Sequence, residues 1–148
     1  MQIAKRIYSL AQEQSDFALM TGACRPLACT FYFLGDFETA RQYAMRGIQI
    51  WRSGAAQYQV EEPIAPAVSC LCYLALSEWH LGEIASCQAT IEEAISLAKE
   101  LNDLHALVMA LWYAGLLGHF ERNPAEVERQ ASDALELSTR QNFATWLP

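Results

Sequence analysis

The chain has 148 residues, of which 53% are hydrophobic and 18% charged; that is one domain's worth of material, too apolar for disorder and built of elements buried on more than one side. Ten Lys and Arg against seventeen Asp and Glu leave a net charge of −7, which repels a phosphate backbone and an anionic membrane surface and argues against nucleic acid or membrane as partner. The five cysteines (Cys24, Cys29, Cys70, Cys72 and Cys87) form no C-x-x-C pair and "MQIAKRIYSL" has no secretory character, so a cytoplasmic chain with small, buried, reduced thiols is expected.

Apolar spacing and turn signals predict seven helices, at about 2–13, 17–34, 37–52, 65–81, 84–101, 104–120 and 124–141. The second contains Pro26, which removes a helical hydrogen bond and is expected to kink or split it. "LGDFETA", Leu34 to Ala40, is a tight turn in which Asp36 can cap the third helix. The stretch Ser53 to Pro63 is the one long connection, and Pro66 is expected in the first turn of the fourth helix. "LGEIASC", Leu81 to Cys87, turns into the fifth helix, whose Ile91, Ala94, Ile95 and Ala98 recur three or four apart. "LHALVMALWYAGLLGHF", Leu104 to Phe120, holds no Asp, Glu, Lys or Arg; as a helix it would span roughly 26 Å, short of a bilayer's ~30 Å core. Its two histidines and Gly115 suit a buried inner helix better. In "ERNPAEV", Glu121 to Val127, Asn123 caps and Pro124 takes the first helical position.

A repeat runs through these elements. "LAQEQSDF" (Leu10 to Phe17) returns as "LAKELNDL" (Leu97 to Leu104), 87 residues on. Taking Gly35, Gly82 and Arg122 as equivalent turn residues gives spacings of 47 and 40, which account for that offset. The same alignment puts small residues seven places before each turn (Ala28, Ala75, Gly115) and twelve after it (Gly47, Ala94, Ala134). Small residues there let two helices approach closely, as in a helical hairpin, and "SD" and "ND" are the corners where one hairpin hands over to the next.

This pattern, with "GDF" and a following Ala between paired helices, resembles the tetratricopeptide repeat, whose usual length is about 34 residues. The resemblance implies an all-α, right-handed α-solenoid of antiparallel helix pairs: a half repeat at 1–16, repeats at about 17–52, 64–101 and 104–141, and the start of another helix at 143–148. The chain departs from that family in its longer spacings and in having Arg52, Lys99 and Thr139 where the motif often closes with proline. More narrowly, the "GIQIWRSGA" segment, the "HFERNP" stretch and the terminal "FATWLP" resemble the C-terminal repeat region of large bacterial STAND-type signalling ATPases. In those proteins a nucleotide-binding ATPase follows an adenylate or guanylate cyclase, a protein kinase or a DNA-binding module. Set beside them, the chain reads as a piece of a longer protein, opening inside a second helix and stopping as a next first helix starts. An apolar end around Ile3, Ile7 and Trp146 is then expected to promote self-association.

No Gly-rich phosphate loop, H-E-x-x-H, G-x-S-x-G or His/Cys/Asp cluster is present in the sequence. A non-enzymatic interaction or sensor module without cofactor or metal is therefore expected. The resemblance implies that the first helix of each pair lines an inner groove. It puts the ligand-facing places on Arg25, Tyr32 and Phe33, on Cys72, Trp79 and His80, and on Trp112, His119 and Phe120. Aromatics with one Arg suit a protein or peptide partner, including an ATPase or cyclase domain of the same polypeptide. Two alternatives stand beside this reading: a free-standing adaptor or homodimer, and a small-molecule receptor in which the Trp79/Trp112 region closes on an apolar or sugar ligand.

Overall fold

The computed structural model describes residues 2–54 and 65–143. Among them are seven helices and no strand: α1 Gln2–Gln14, α2 Phe17–Phe33, α3 Phe37–Arg52, α4 Pro66–His80, α5 Ile84–Glu100, α6 Leu104–Phe120 and α7 Pro124–Gln141. Every boundary falls within one residue of its predicted place. Most of the Ser53 to Pro63 connection, the helix expected at 143–148 beyond Phe143, and Trp146 lie outside the described residues.

The corners explain why boundaries were so sharply encoded. Each has one residue in the left-handed region: Ser15 (φ 54°), Gly35 (78°), Gly82 (83°), Asn102 (51°) and Arg122 (56°). The next residue's N–H turns back to a carbonyl five places earlier, Asp16 to Ala11 at 2.9 Å, Asp36 to Phe31 at 3.0 Å, Asp103 to Ala98 at 3.0 Å and Asn123 to Gly118 at 2.9 Å. That Schellman arrangement closes the outgoing helix. The same side chains then open the next one, Asp16 accepting from the Leu19 N–H at 2.9 Å, Asp36 from Thr39 at 3.1 Å, Asp103 from Ala106 at 2.9 Å and Asn123 from Glu126 at 3.2 Å. "SD", "GD", "ND" and "RN" are thus one two-residue device. Its left-handed residue stops a helix, and its short polar residue starts another.

Pro26 does not split α2, which runs unbroken through it. Packing of α2 against α1, α3 and α4 holds the helical path although the Pro26 nitrogen can donate nothing. One turn on, the Thr30 hydroxyl donates to the Pro26 carbonyl at 2.7 Å.

Each helix packs on the next, and α2, α4 and α6 also touch in a row. Flanked on all sides, α4 is buried from Pro66 through Glu78, and its Val68, Leu71 and Leu76 with Ala75 form the middle of the core. Close approach depends on the small residues. A Cβ on Gly47 would lie 2.7 Å from Cys70 Sγ and 3.1 Å from Cys24 Cβ, so α3 passes α4 and α2 only because that position is glycine. Ala28, Ala75 and Ala94 are fully buried, whereas Gly115 and Ala134 in the last pair are only half-buried. No helix among the described residues, α6 included, is long and apolar enough to cross a membrane.

A candidate interaction site at three helix ends

The last two residues of α2, α4 and α6 are Tyr32-Phe33, Trp79-His80 and His119-Phe120, at equivalent places in the repeat. Because those helices lie in a row, their ends bring the rings together. Tyr32 Oη lies 3.1 Å from His80 Nε2, and Phe33 sits edge-on to Tyr32 with centroids 5.3 Å apart. Phe120 continues the surface, 5.6 Å from His80 and 4.8 Å from Trp79. Phe37, the first residue of α3, stacks on His80 at 4.2 Å with planes 7° apart. Phe33 is 74% exposed.

Beneath this face, Tyr73 and Tyr113 are both buried. The Tyr113 hydroxyl donates to that of Tyr73 at 2.8 Å, and the Tyr73 ring lies 6.1 Å from Tyr32. Burial, followed by the hydrogen bond with Cys29, raises Tyr73 far above the ordinary phenol range, while burial raises Tyr113 to about 12. Burial also lowers His80 and raises Tyr32. The patch is therefore neutral near pH 7, a set of rings that share protons without charge.

Charge lies around the rings instead. The corners beside them carry Asp36, Glu83 and Glu121, and Glu38 and Glu83 hold Arg41 between them at 2.9 Å each. The face is therefore an apolar aromatic centre with a mainly acidic border.

The structure gathers Tyr32, Phe33, Trp79, His80 and Phe120 into this face, with His119 at its edge, its ring 6.2 Å from that of Phe120. Arg25 is exposed two turns back along α2. Cys72 does not face a groove. It is fully buried because α4 has neighbours on both sides, and that burial raises its thiol well above the ordinary range. Trp112 is 52% exposed and belongs to a different feature, a groove of about 470 Å³ between α6 and α7 shared with Leu116, His119 and Leu135. Trp79 does not line that groove; its ring packs on Phe120 and His80. Phe37 was missed by the sequence reasoning although it is the aromatic of the "GDF" turn. Tyr73 and Tyr113 were missed too, although the 40-residue spacing makes them equivalent.

For chemistry, the inventory among the described residues is sparse. No group of three or more His, Cys, Asp or Glu could hold a metal ion. Burial raises the Cys24 and Cys87 thiols to about 12, so they stay protonated and unreactive. No protein-family model matches the chain, and no curated protein matches it.

Proposed function

We propose that the chain is a non-enzymatic protein–protein interaction module, a right-handed α-solenoid of antiparallel, tetratricopeptide-like helix pairs. It binds an extended segment of a partner protein, or of a neighbouring domain in its own polypeptide, on the face made by Tyr32, Phe33, Trp79, His80 and Phe120. The observation that carries this reading is the continuity of those rings across three helix ends, with Phe33 left largely uncovered. Rigid aromatics lose little conformational freedom on binding and present large contact areas, which is why they dominate the energetics of interfaces. The resemblance to bacterial signalling ATPases supplies the setting: occupancy of the face would bias such an ATPase between resting and active states.

Peptides selected from a random library on the purified chain test this. Bound sequences should combine aliphatic or aromatic residues with Lys or Arg and should change the emission of Trp79. Phe33→Ala, at a mostly exposed position, should weaken them at least about tenfold, as loss of a central aromatic anchor does. Affinity unchanged in Phe33→Ala and in His80→Ala would overturn the proposed face. The setting is tested separately, by an immunoblot of the source cells: a band several times the 16.6 kDa of this chain supports a signalling ATPase, and a band at that mass supports a free-standing adaptor.

A further inference from the structure

The seam between α3 and α5 and the seam between α5 and α7 are built from matching positions and close differently. In the first, Arg41 of α3 binds Glu83 at 2.9 Å, and Arg52, the last residue of α3, binds Glu93. Through the 47- and 40-residue spacings, the counterparts of Arg41, Arg52 and Glu93 are Gln88, Lys99 and Asp133. Gln88 Nε2 donates to Glu121 Oε1 at 3.3 Å, an amide where the first seam has a guanidinium. Here the seam opens into a cavity of about 380 Å³, whose apolar wall is Ile91 and Ile95 of α5 with Leu111, Ala114 and Leu117 of α6.

The polar wall is short of donors. Its carboxylates are Glu92, Glu121, Glu126 and Asp133 and its cations Lys99 and Arg129, so four negative charges meet two positive ones and leave a formal −2. Glu126 and Arg129 satisfy each other, Oε2 accepting from Nε at 3.1 Å and Oε1 from Nη2 at 2.6 Å. Lys99 is set against Asp133 by the spacing that pairs Arg52 with Glu93. Within the lining, Glu92 and Glu121 remain uncompensated. Their field is felt at Cys87 in the same wall, whose thiol is raised to about 12 by burial first and then by Glu121 and Glu78. Gln130 adds an acceptor of another kind. It is 3% exposed, its Nε2 donates to Glu126 Oε1 at 2.7 Å, and its Oε1 has no partner among the described residues. Buried polar atoms are seldom left so, and an acceptor beside two uncompensated carboxylates suits a donor that carries positive charge. Among the described residues no three His, Cys, Asp or Glu are placed to hold a metal ion, which points to an organic cation.

We infer that the α5–α7 cavity binds a small organic cation, an ammonium or guanidinium head on a short aliphatic chain. The head reaches below the surface to the Gln130 amide oxygen, Glu92 and Glu121 supply the opposite charge, and the chain lies along Ile91, Ile95 and Leu111. None of the rings of the aromatic face lines this cavity, so the site stands apart from the function proposed for that face.

Solution NMR of the whole chain with isotope-labelled isoleucine methyl groups tests this. The probes are n-pentylammonium and n-pentylguanidinium, with n-pentanol and pentanoate as neutral and anionic controls. Both cations should move the Ile91 and Ile95 methyl signals and saturate in the millimolar range, and both controls should leave them in place. Gln130→Met removes the amide at similar volume and should weaken both cations about tenfold, the worth of one hydrogen bond to a charged group. Glu92→Gln and Glu121→Gln combined, at exposed positions, should also weaken them about tenfold, and this variant carries the test if Gln130→Met fails to fold. Glu13→Gln, which removes an exposed carboxylate on α1, should leave binding unchanged. Isoleucine signals that neither cation moves, pentanol binding as tightly as the ammonium, a Glu13→Gln loss as large as that of the combined variant, or parental affinity in both cavity variants would overturn the inference.

Discussion

The first helical pair and the last carry the same pattern of residues and meet different fates. At the junction of α2, α3 and α4, Cys24, Ala28, Ala44 and Ile48 are sealed and Gly47 leaves no room for a methyl group. At the α6–α7 end, the matching Leu111, Gly115, Ala131 and Leu135 line an open groove. The repeat therefore encodes a surface, and the next helix decides whether that surface becomes core. A helix pair behaves this way because its apolar face is buried only against the elements that reach it.

The sharpest way to break this comparison is to truncate one residue at the same place in both pairs. Ile48→Ala should cost about 2–5 kcal/mol, the usual range for emptying a buried aliphatic site, since Ile48 is 4% exposed. Leu135→Ala should stay below about 1 kcal/mol, as at a surface position. Urea denaturation of the dilute chain reads both, and equal losses would mean that the two junctions are not distinct. Next comes Gly47→Ala. Alanine is the better helix former by about 1 kcal/mol, yet its Cβ would press on Cys70 Sγ and Cys24 Cβ, and overpacking of that kind costs about 1–3 kcal/mol. A net loss is expected, visible as a lower urea midpoint with unchanged slope.

Much of the fold was legible because the corners are local. A left-handed residue, a short polar cap and a return hydrogen bond need only six neighbouring residues, and Arg122 could be matched to Gly35 and Gly82 from spacing alone, although it lacks their conformational freedom. What depended on neighbours was read less well. The split expected at Pro26 does not occur because α1, α3 and α4 pack around α2, and that packing has no local signature. Cys72 was placed on a groove because the repeat spacing makes it the counterpart of Arg25 and Trp112 and the family resemblance gives all three a ligand-facing place; its own helix is the middle one of the row, and flanking helices bury it. The aromatic face was half legible. Tyr32, Phe33, Trp79, His80 and Phe120 could be picked out by position, but the stacking of Phe37 on His80 joins separate helices, which one-dimensional spacing does not report.

Asp103 tests whether the corners hold the junctions together as well as the helices. Its Oδ1 caps α6 through the Ala106 N–H, and its Oδ2 accepts from the Ala65 N–H at 2.9 Å, at the start of α4. Asp16 and Asp36 have the capping bond alone among these contacts. Losing a helix cap costs about 1 kcal/mol, and stranding a second donor adds to it. Asp103→Ala should therefore destabilise by about 2 kcal/mol and Asp36→Ala by about 1 kcal/mol. Equal effects would mean that the bond to Ala65 contributes nothing.

The smallest effect has the opposite sign, which makes it the most discriminating. Gly115 lies inside α6, where glycine costs about 0.5–1 kcal/mol relative to alanine by its extra freedom in the unfolded chain. A Cβ there would meet only Gln130 Cβ, at 3.6 Å, an ordinary van der Waals contact. Gly115→Ala should thus raise stability by about 0.5–1 kcal/mol in the dilute monomer, while the closer approach at Gly47, on the other helix of the first pair, forbids the same change there. Its counterparts Ala28 and Ala75 already carry this methyl group at fully buried junctions, so the site is one that accepts it. A loss of stability on urea denaturation would mean that α7 stands closer to α6 at Gly115 than the 3.6 Å approach of Gln130 Cβ.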